Sequence, residues 1–341
     1  MSSDHTLEGS GIRNFTSGAG KGDPLLQGLA KELYQIDHPP YEGYDPEDPF
    51  REDYVPVLNL GHVKLVDMMG SDMSVVRAAR VSYGLGSKGE KADRGVLRYM
   101  LSHEHGTPFE HTCMTFRVKL PIFIARQWIR HRIGVSFNEI SGRYSIMKDE
   151  FFTLNVAGLR KQSKKNKQGS SEEVVSLEEA EALLAEIEET YKHEYDTYKK
   201  QIAAGVSNEL ARAVLPLAMY TEWYFTVNLR SLFAFCKLRS DSHAQEEIRV
   251  YSDAMLDIAA KYFPWSVEAF KDYQLNAIKM SALDIKAFQE LIRLQRASAA
   301  GEISEADVLS GCSIYAKGLG MSDREYQEFI AKSVLLQPPV V

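Results

Sequence analysis

The stretch "CMTFRVKLPIFIARQWIRHR", Cys113 to Arg132, changes period in its middle, and that change limits what the chain can fold into. Before Pro121, apolar and polar residues alternate, as in a half-buried strand. From Pro121 on, Ile122, Ile124, Ala125, Trp128 and Ile129 form an apolar helical stripe, and proline suits the first turn of a helix. Gly134 is expected to end that helix. A strand followed directly by a helix is therefore expected.

Other segments read in the same way. "SDMSVVRAARVSYG" predicts a helix with Ser71 or Asp72 as its N-cap, and a second helix follows over Asp93–His103. "SLEEAEALLAEIEETYKHEYDTYKKQI" opens on a capping box, Ser176 with Glu179, and predicts a long amphipathic helix. Ser207 can cap "NELARAVLP". "YTEWYFTVNLRSLFAFCKL" is apolar and aromatic and reads as a buried helix carrying Asn228, Arg230 and Arg239 near its end. Ser242 and Gln245 can cap "HAQEEIRVYSDAMLDIAAKYF". The organisation expected is an extended arm over residues 1–54, a body over 55–272 with a mobile polar loop at about 159–175, and small helices over 273–341.

The composition excludes several classes. A net charge of −7 disfavours binding of bulk nucleic acid, which calls for a broad basic surface. No apolar run approaches the roughly 18 residues that span a bilayer, and the amino terminus lacks a secretory apolar region, so a cytoplasmic protein is expected. Three separated cysteines, Cys113, Cys236 and Cys312, fit neither a disulfide framework nor a zinc ribbon, and none neighbours a histidine as a catalytic thiolate would require. "GAGKGD", Gly18 to Asp23, fails the P-loop pattern, because Gly22 stands where Ser or Thr is needed.

Against this acidic background, "RQWIRHRIGVSFNEISGRYS" gathers four arginines and one glutamate between Arg126 and Ser145. On a helix, Gln127 shares a face with Arg130 and His131, and Arg132 sits beside the Gly134 break. The turn expected beyond it offers Asn138, Glu139, Ser141 and Arg143. Arginine forks with hydroxyls and backbone N–H groups suit a phosphate, and the alternative is a solvated basic face. "SHEHGTPFEHT" places His103, His105 and His111 around a Gly106–Pro108 turn. A divalent metal is one reading of it and contact with an organic ligand the other; it is not the zincin helix, since Thr107 stands four after His103. Arg230 and Arg239 lie among aromatics, and each needs a carboxylate of this chain or an anionic ligand.

Taken together, these segments resemble the flavin-dependent thymidylate synthases. The family signature is RHR, seven residues, Ser, then Arg-Tyr; this chain has "RHRIGVSFNEISGRYS", with eight residues between Arg132 and Ser141, the extra one falling near Gly134 and Val135. "RAARVSYG", "HEHGTPFEH", "PIFIARQWIRHR", "ARAVLPLAMYT", "TVNLRSLFAF" and "LRSDSHAQEEI" follow the family order, and the resemblance spans about residues 55–270. Ala234 stands where some members have an asparagine near the flavin.

The resemblance implies an α+β fold, a helical core with α/β lobes, assembled as a homotetramer with shared active sites. It implies reductive methylation of dUMP to dTMP, with FAD as hydride carrier and methylenetetrahydrofolate and NADPH as co-substrates. It implies that Arg130, His131, Arg132 and Ile133 hold FAD, with Asn138 and Glu139 at the flavin–nucleotide junction. Ser82, His105, Thr107, Glu110, Asn228 and Arg230 would line the flavin. Ile140, Ser141, Gly142 and Arg143 would bind dUMP with Glu139, Arg212, Gln127 and Arg130, and Arg239 would face the uracil, leaving Arg239 and Arg130 as the catalytic pair. No metal and no cysteine nucleophile is implied. Ser141 has no base placed to activate it, so a phosphate-bound hydroxyl is the better reading. The rivals are another flavin-dependent pyrimidine-modifying enzyme on this scaffold and an RNA-binding module.

Overall fold

In the computed structural model, residues 48–84, 86–164 and 169–335 are described, and they fall into two compact units that divide after Leu275. The arm expected over 1–54 lies outside the described residues up to residue 47, "GAGKGD" included. From Asp48 on, the chain is already pinned: Asp48 pairs with the buried Lys64 at 2.6 Å, and the buried Asp53 binds Lys261 and Tyr262.

The fold is mixed α+β. Its frame is a five-stranded sheet of order β1-β2-β3-β7-β4, antiparallel at every pairing, so the structure contains no parallel βαβ unit in this sheet. The strands are β1 (Tyr54–Val57), β2 (Gly61–Met69), β3 (Cys113–Pro121), β4 (Val135–Glu139) and β7 (Tyr220–Val227). On β3, the alternation works as expected: Met114, Phe116, Val118 and Leu120 are buried, while Thr115, Arg117 and Lys119 lie on the other face.

Helices cover the apolar face. α1 (Asp72–Arg80) starts at Ser71, whose capping box is completed by Ser74, and α2 (Glu90–Ser102) follows. α3 (Ile122–Trp128) leaves β3 directly, and Trp128, fully buried, meets Trp223, Phe225, Phe235 and Tyr251 within 6 Å. α4 (Leu177–Ala203) opens on the Ser176–Glu179 capping box. A short α5 (Asn208–Ala211), α6 (Leu229–Arg239), α7 (Glu246–Tyr262) and α8 (Pro264–Phe270) complete the unit.

Four expectations need correction. "YTEWYFTVNLRSLFAFCKL" is not one helix: Tyr220–Val227 is the strand β7, and Asn228 caps α6 through its Oδ1, which accepts the Ser231 N–H at 2.8 Å. The aromatic and β-branched run from Tyr220 to Val227 pairs with β3 and β4 on its two sides, and an inner strand of this kind is apolar enough to pass for a buried helix. The helix from Pro121 ends at Trp128 rather than near Gly134, so Arg130 and His131 lie past its end and do not share its face with Gln127. "SFNEIS" is not a turn throughout, because Val135–Glu139 pairs with β7 as the edge strand β4. The polar loop contains a hairpin of β5 (Arg160–Gln162) and β6 (Ser170–Val174), with residues 165–168 outside the described residues. An exposed two-stranded hairpin needs no apolar face to betray it.

The second unit carries α9 (Ala282–Ala299), α10 (Glu305–Gly318) and α11 (Asp323–Leu335). Ser281 with Asp284 and Ser304 with Asp307 form capping boxes, and Ala287, Leu291, Cys312, Ala316 and Phe329 make its core. Gly301 and Gly320, at φ +75° and +88°, turn the chain between these helices.

Candidate active site

α6 organises the site from both ends. At its last residue, Arg239 Nε donates to His131 Nε2 at 3.0 Å and its NH2 group donates to the Gln127 carbonyl at 3.3 Å. The second bond satisfies a carbonyl that the early end of α3 leaves free. At the other end, Gly134 lies against Asn228 and Ser231. The segment from His131 to Gly134 therefore runs back along α6, from its C-terminus to its N-terminus.

Gly134 is required there. Its φ is +66°, and a Cβ would lie 2.5 Å from Ser231 Oγ and 2.6 Å from Asn228 Nδ2. Beyond Gly134, the β4 register runs unbroken from Val135 to Glu139, and the Ile140 N–H bonds the Glu222 carbonyl at 2.9 Å, so this strand carries no bulge.

His131 sits edge-on to Phe235, with ring centroids 5.0 Å apart. Burial first, and then the Arg239 charge, push its imidazole below the ordinary histidine value. Burial also draws the Arg239 guanidinium down. Arg130, Arg132 and Ile133 are exposed, and among the described residues the Arg130 and Arg132 forks have no ion-pair or hydrogen-bond partner.

Beyond β4, the chain turns at Ser141–Ser145, where the Tyr144 and Ser145 N–H groups bond the Ser141 carbonyl at 3.0 and 3.2 Å. Gly142 is buried, with Arg212 Cδ and Met147 Sδ 3.2 and 3.1 Å from where its Cβ would stand, so Arg212 is brought to this turn. The exposed Arg143 faces Glu209 at 3.5 Å. Glu139 accepts a hydrogen bond from Thr221 at 2.6 Å, and Asn138 is exposed opposite Tyr224. β4, Val135–Glu139, links the segment that carries His131 to the Ser141–Ser145 turn.

A third group forms at the N-terminus of α6. Arg230 pairs with Glu110 and lies over Gly106, where a Cβ would collide with its Nε. The partner sought for Arg230 is thus a carboxylate of this chain, and Arg230 is exposed rather than buried. Thr107 and Glu110 share a one-turn 3-10 helix, Thr107–His111, against which α1 packs. His105 is exposed with its ring 6.2 Å from that of His103, and among the described residues no three of His, Cys, Asp and Glu gather as a metal site. Ser82, just beyond α1, is exposed, and its hydroxyl bonds the Ala79 carbonyl at 3.5 Å rather than any residue of this group among the described residues. Ala234 is on the exposed side of α6, one turn after Arg230. Cys236 is fully buried and its thiol is pushed up to about 12 by burial, which removes it from thiolate chemistry at neutral pH.

Sequence reasoning missed several supports: Phe235 against His131, Thr221 on Glu139, and Glu209 facing Arg143. It read Gln245 only as a cap, yet Gln245 also accepts a hydrogen bond from Gln127. These pairs join positions far apart in the chain, and no local pattern marks them.

The family model described as "Thymidylate synthase complementing protein" matches residues 64–265. The chain belongs to the flavin-dependent thymidylate synthase family. It is 42% identical over 236 residues to the flavin-dependent thymidylate synthase of Treponema denticola, covering 69% of this chain and 88% of that one. It is 45% identical over 238 residues to that of Thermus thermophilus, covering 70% and 86%. Among solved structures, it is similar to the UMP/dUMP methylase PolB from Streptomyces cacaoi bound with 5-Br dUMP, with 33% identity and a TM-score of 0.59, covering 65% of this chain and 99% of that one. The region of the signature holds two exposed arginine forks, a glycine-bearing turn with Arg143 and Arg212 beside it, and a half-buried arginine bonded to His131 and Gln127.

Proposed function

We propose that the chain, an enzyme of this family, converts dUMP to dTMP with methylenetetrahydrofolate as carbon donor and NADPH as reductant. FAD, when bound, supplies the hydride-carrying chemistry. The residues fit it: Arg130 and Arg132 present free guanidinium forks suited to its phosphates, and Gly134, two residues after Arg132, lies against Asn228 at the N-terminus of α6. The carrying observation is the Arg239 guanidinium, half-buried and fixed by His131 and Gln127. Uracil C5 must become nucleophilic, and an arginine held in a water-poor wall stabilises the negative charge that develops on the ring. Ser141, Gly142, Arg143 and Arg212 would hold the nucleotide phosphate, with Glu139 and Ile140 beside the ring and Gln127 nearby. Ser82, His105, Thr107, Glu110, Ile133 and Asn138 belong to the flavin wall in this reading.

The exposed apolar residues Ile133, Ile140, Tyr144 and Ile146 flank the two arginine groups, and we read them as surface that other copies cover in a homotetramer. The body over 55–272 carries this chemistry, with the arm over 1–54 and the helices over 273–341 as appendages. Among the described residues, no helix is long and apolar enough to cross a membrane, and we place the enzyme in the cytoplasm.

A second reading has one observation behind it, the likeness to a methylase whose name covers UMP as well as dUMP. The deciding experiment is a visible spectrum of the purified protein followed by a coupled assay with each nucleotide. Flavin absorbance, and dTMP formed only with dUMP, folate and NADPH together, is expected. Protein that stays colourless after FAD addition would sink the reading, and equal methylation of UMP would support the second one.

A further inference from the structure

We propose that His131 is the positioning residue for Arg239: its Nε2 accepts the Arg239 Nε–H and so aims the guanidinium across the mouth of the site. Arg239 is the last residue of α6, where a long side chain has the most freedom. Two bonds remove that freedom. One goes to a backbone carbonyl, Gln127 O, which any residue at that position would offer; the other goes to His131, which a substitution can delete.

The donor settles the state of the acceptor. Arginine Nε always carries its hydrogen, so His131 Nε2 must hold a lone pair, and the neutral ring then keeps its proton on Nδ1. Phe235, edge-on at 72° between ring planes, fixes the plane of the imidazole, and it comes from the same helix as Arg239. The ring, its clamp and the arginine are thus one unit. The charged group that faces the ring is Arg239 from α6; on its own segment, Arg130 and Arg132 are the exposed neighbours. Protonating His131 would remove the acceptor and set a second cation against Arg239. Burial and the arginine both hold the ring neutral.

The side-chain role assigned here differs from flavin holding, which the resemblance implies for this position. The one lone pair of the neutral ring is spent on Arg239, leaving only the Nδ1–H and the backbone for any cofactor. The inference rests on the reading of Arg239 as the arginine that faces the uracil, and the test separates the two.

The full-length protein is purified with FAD as His131→Phe, His131→Gln, Arg239→Ala and the His131→Phe/Arg239→Ala double variant. Phenylalanine keeps the ring against Phe235 without the acceptor; glutamine can place an amide oxygen near the old Nε2. The expected result is flavin absorbance in every variant. In His131→Phe, kcat for dTMP formation falls about 10- to 100-fold, the loss typical of a hydrogen bond to a charged group, with a smaller change in KM for dUMP. His131→Gln recovers most of the rate. The double variant is no slower than Arg239→Ala, since the two act as a unit. The wild type also loses activity as pH falls through a value below the ordinary histidine range, and His131→Gln lacks that acid limb. Wild-type turnover in His131→Phe, or a double variant slowed by the product of the two single effects, would overturn the proposal. So would loss of FAD from both His131 variants, which would give the residue to the flavin. Normal turnover in Arg239→Ala would instead sink the underlying reading of Arg239.

Discussion

Replacing Gly134 by alanine tests whether the break after the RHR triplet is a packing requirement. Two costs can be worked out. The first is conformational: at φ +66°, an L side chain crowds its own carbonyl, which costs about 1–2 kcal/mol. The second is a collision, since the new Cβ would stand 2.5 Å from Ser231 Oγ and 2.6 Å from Asn228 Nδ2, well inside contact distance. Asn228 must then rotate, and its Oδ1 is the N-cap of α6. Losing a cap of this kind costs about 0.5–2 kcal/mol. The sum is roughly 1.5–4 kcal/mol, or on the order of 3–15 °C in Tm for a unit of this size. Chemical denaturation of Gly134→Ala, with flavin content read from the same samples, measures it. In an Asn228→Ala/Ser231→Ala background, the collision and the cap are already gone, so Gly134→Ala should cost only the conformational 1–2 kcal/mol there. Wild-type stability in Gly134→Ala, or an equal cost in both backgrounds, would refute this reasoning.

Three more tests address other parts of the structure. Arg143→Ala is expected to raise the dUMP dissociation constant about tenfold or more while leaving flavin absorbance intact, measured by titration calorimetry; an unchanged constant would remove Arg143 from the phosphate site. Asp93 accepts hydrogen bonds from Ser87, from the Lys88 N–H and from the buried Arg80, and the Ser87 bond leads in holding its carboxyl below the ordinary aspartate value. Asp93→Asn should cost about 3–5 kcal/mol at pH 7, because Arg80 is left buried without its counter-charge. The depressed value means that this stability is present above the unfolded aspartate value and is lost as pH falls through the folded one, so the gap to wild type should close in urea titrations at acid pH. Asp72→Ala should cost about 2–4 kcal/mol by thermal unfolding, since the Trp265 and Ser266 N–H groups that begin α8, at 2.8 and 3.0 Å, lose their acceptor.

The sequence by itself determined the elements whose signals are local. The alternation on β3, the proline at its end, and the Ser71 and Ser176 caps all act within a few residues, and each stands where its pattern put it. It also determined the family, because seven ordered motifs constrain chemistry without any knowledge of the path between them. Tertiary structure decided the rest. Trp128 is the last helical residue of α3 because its indole is locked in the core and Arg239, more than a hundred residues on, takes the Gln127 carbonyl. β7 is a strand because β3 and β4 offer backbone partners on both sides; an apolar aromatic run satisfies a buried strand and a buried helix equally well until those partners exist. The pairing of His131 with Arg239 has no local signature, since it depends on a segment folding back along α6, and Gly134 alone permits that close approach. Periodicity is a property of neighbours in the chain, whereas the placement of a functional side chain is set by whatever the fold brings against it.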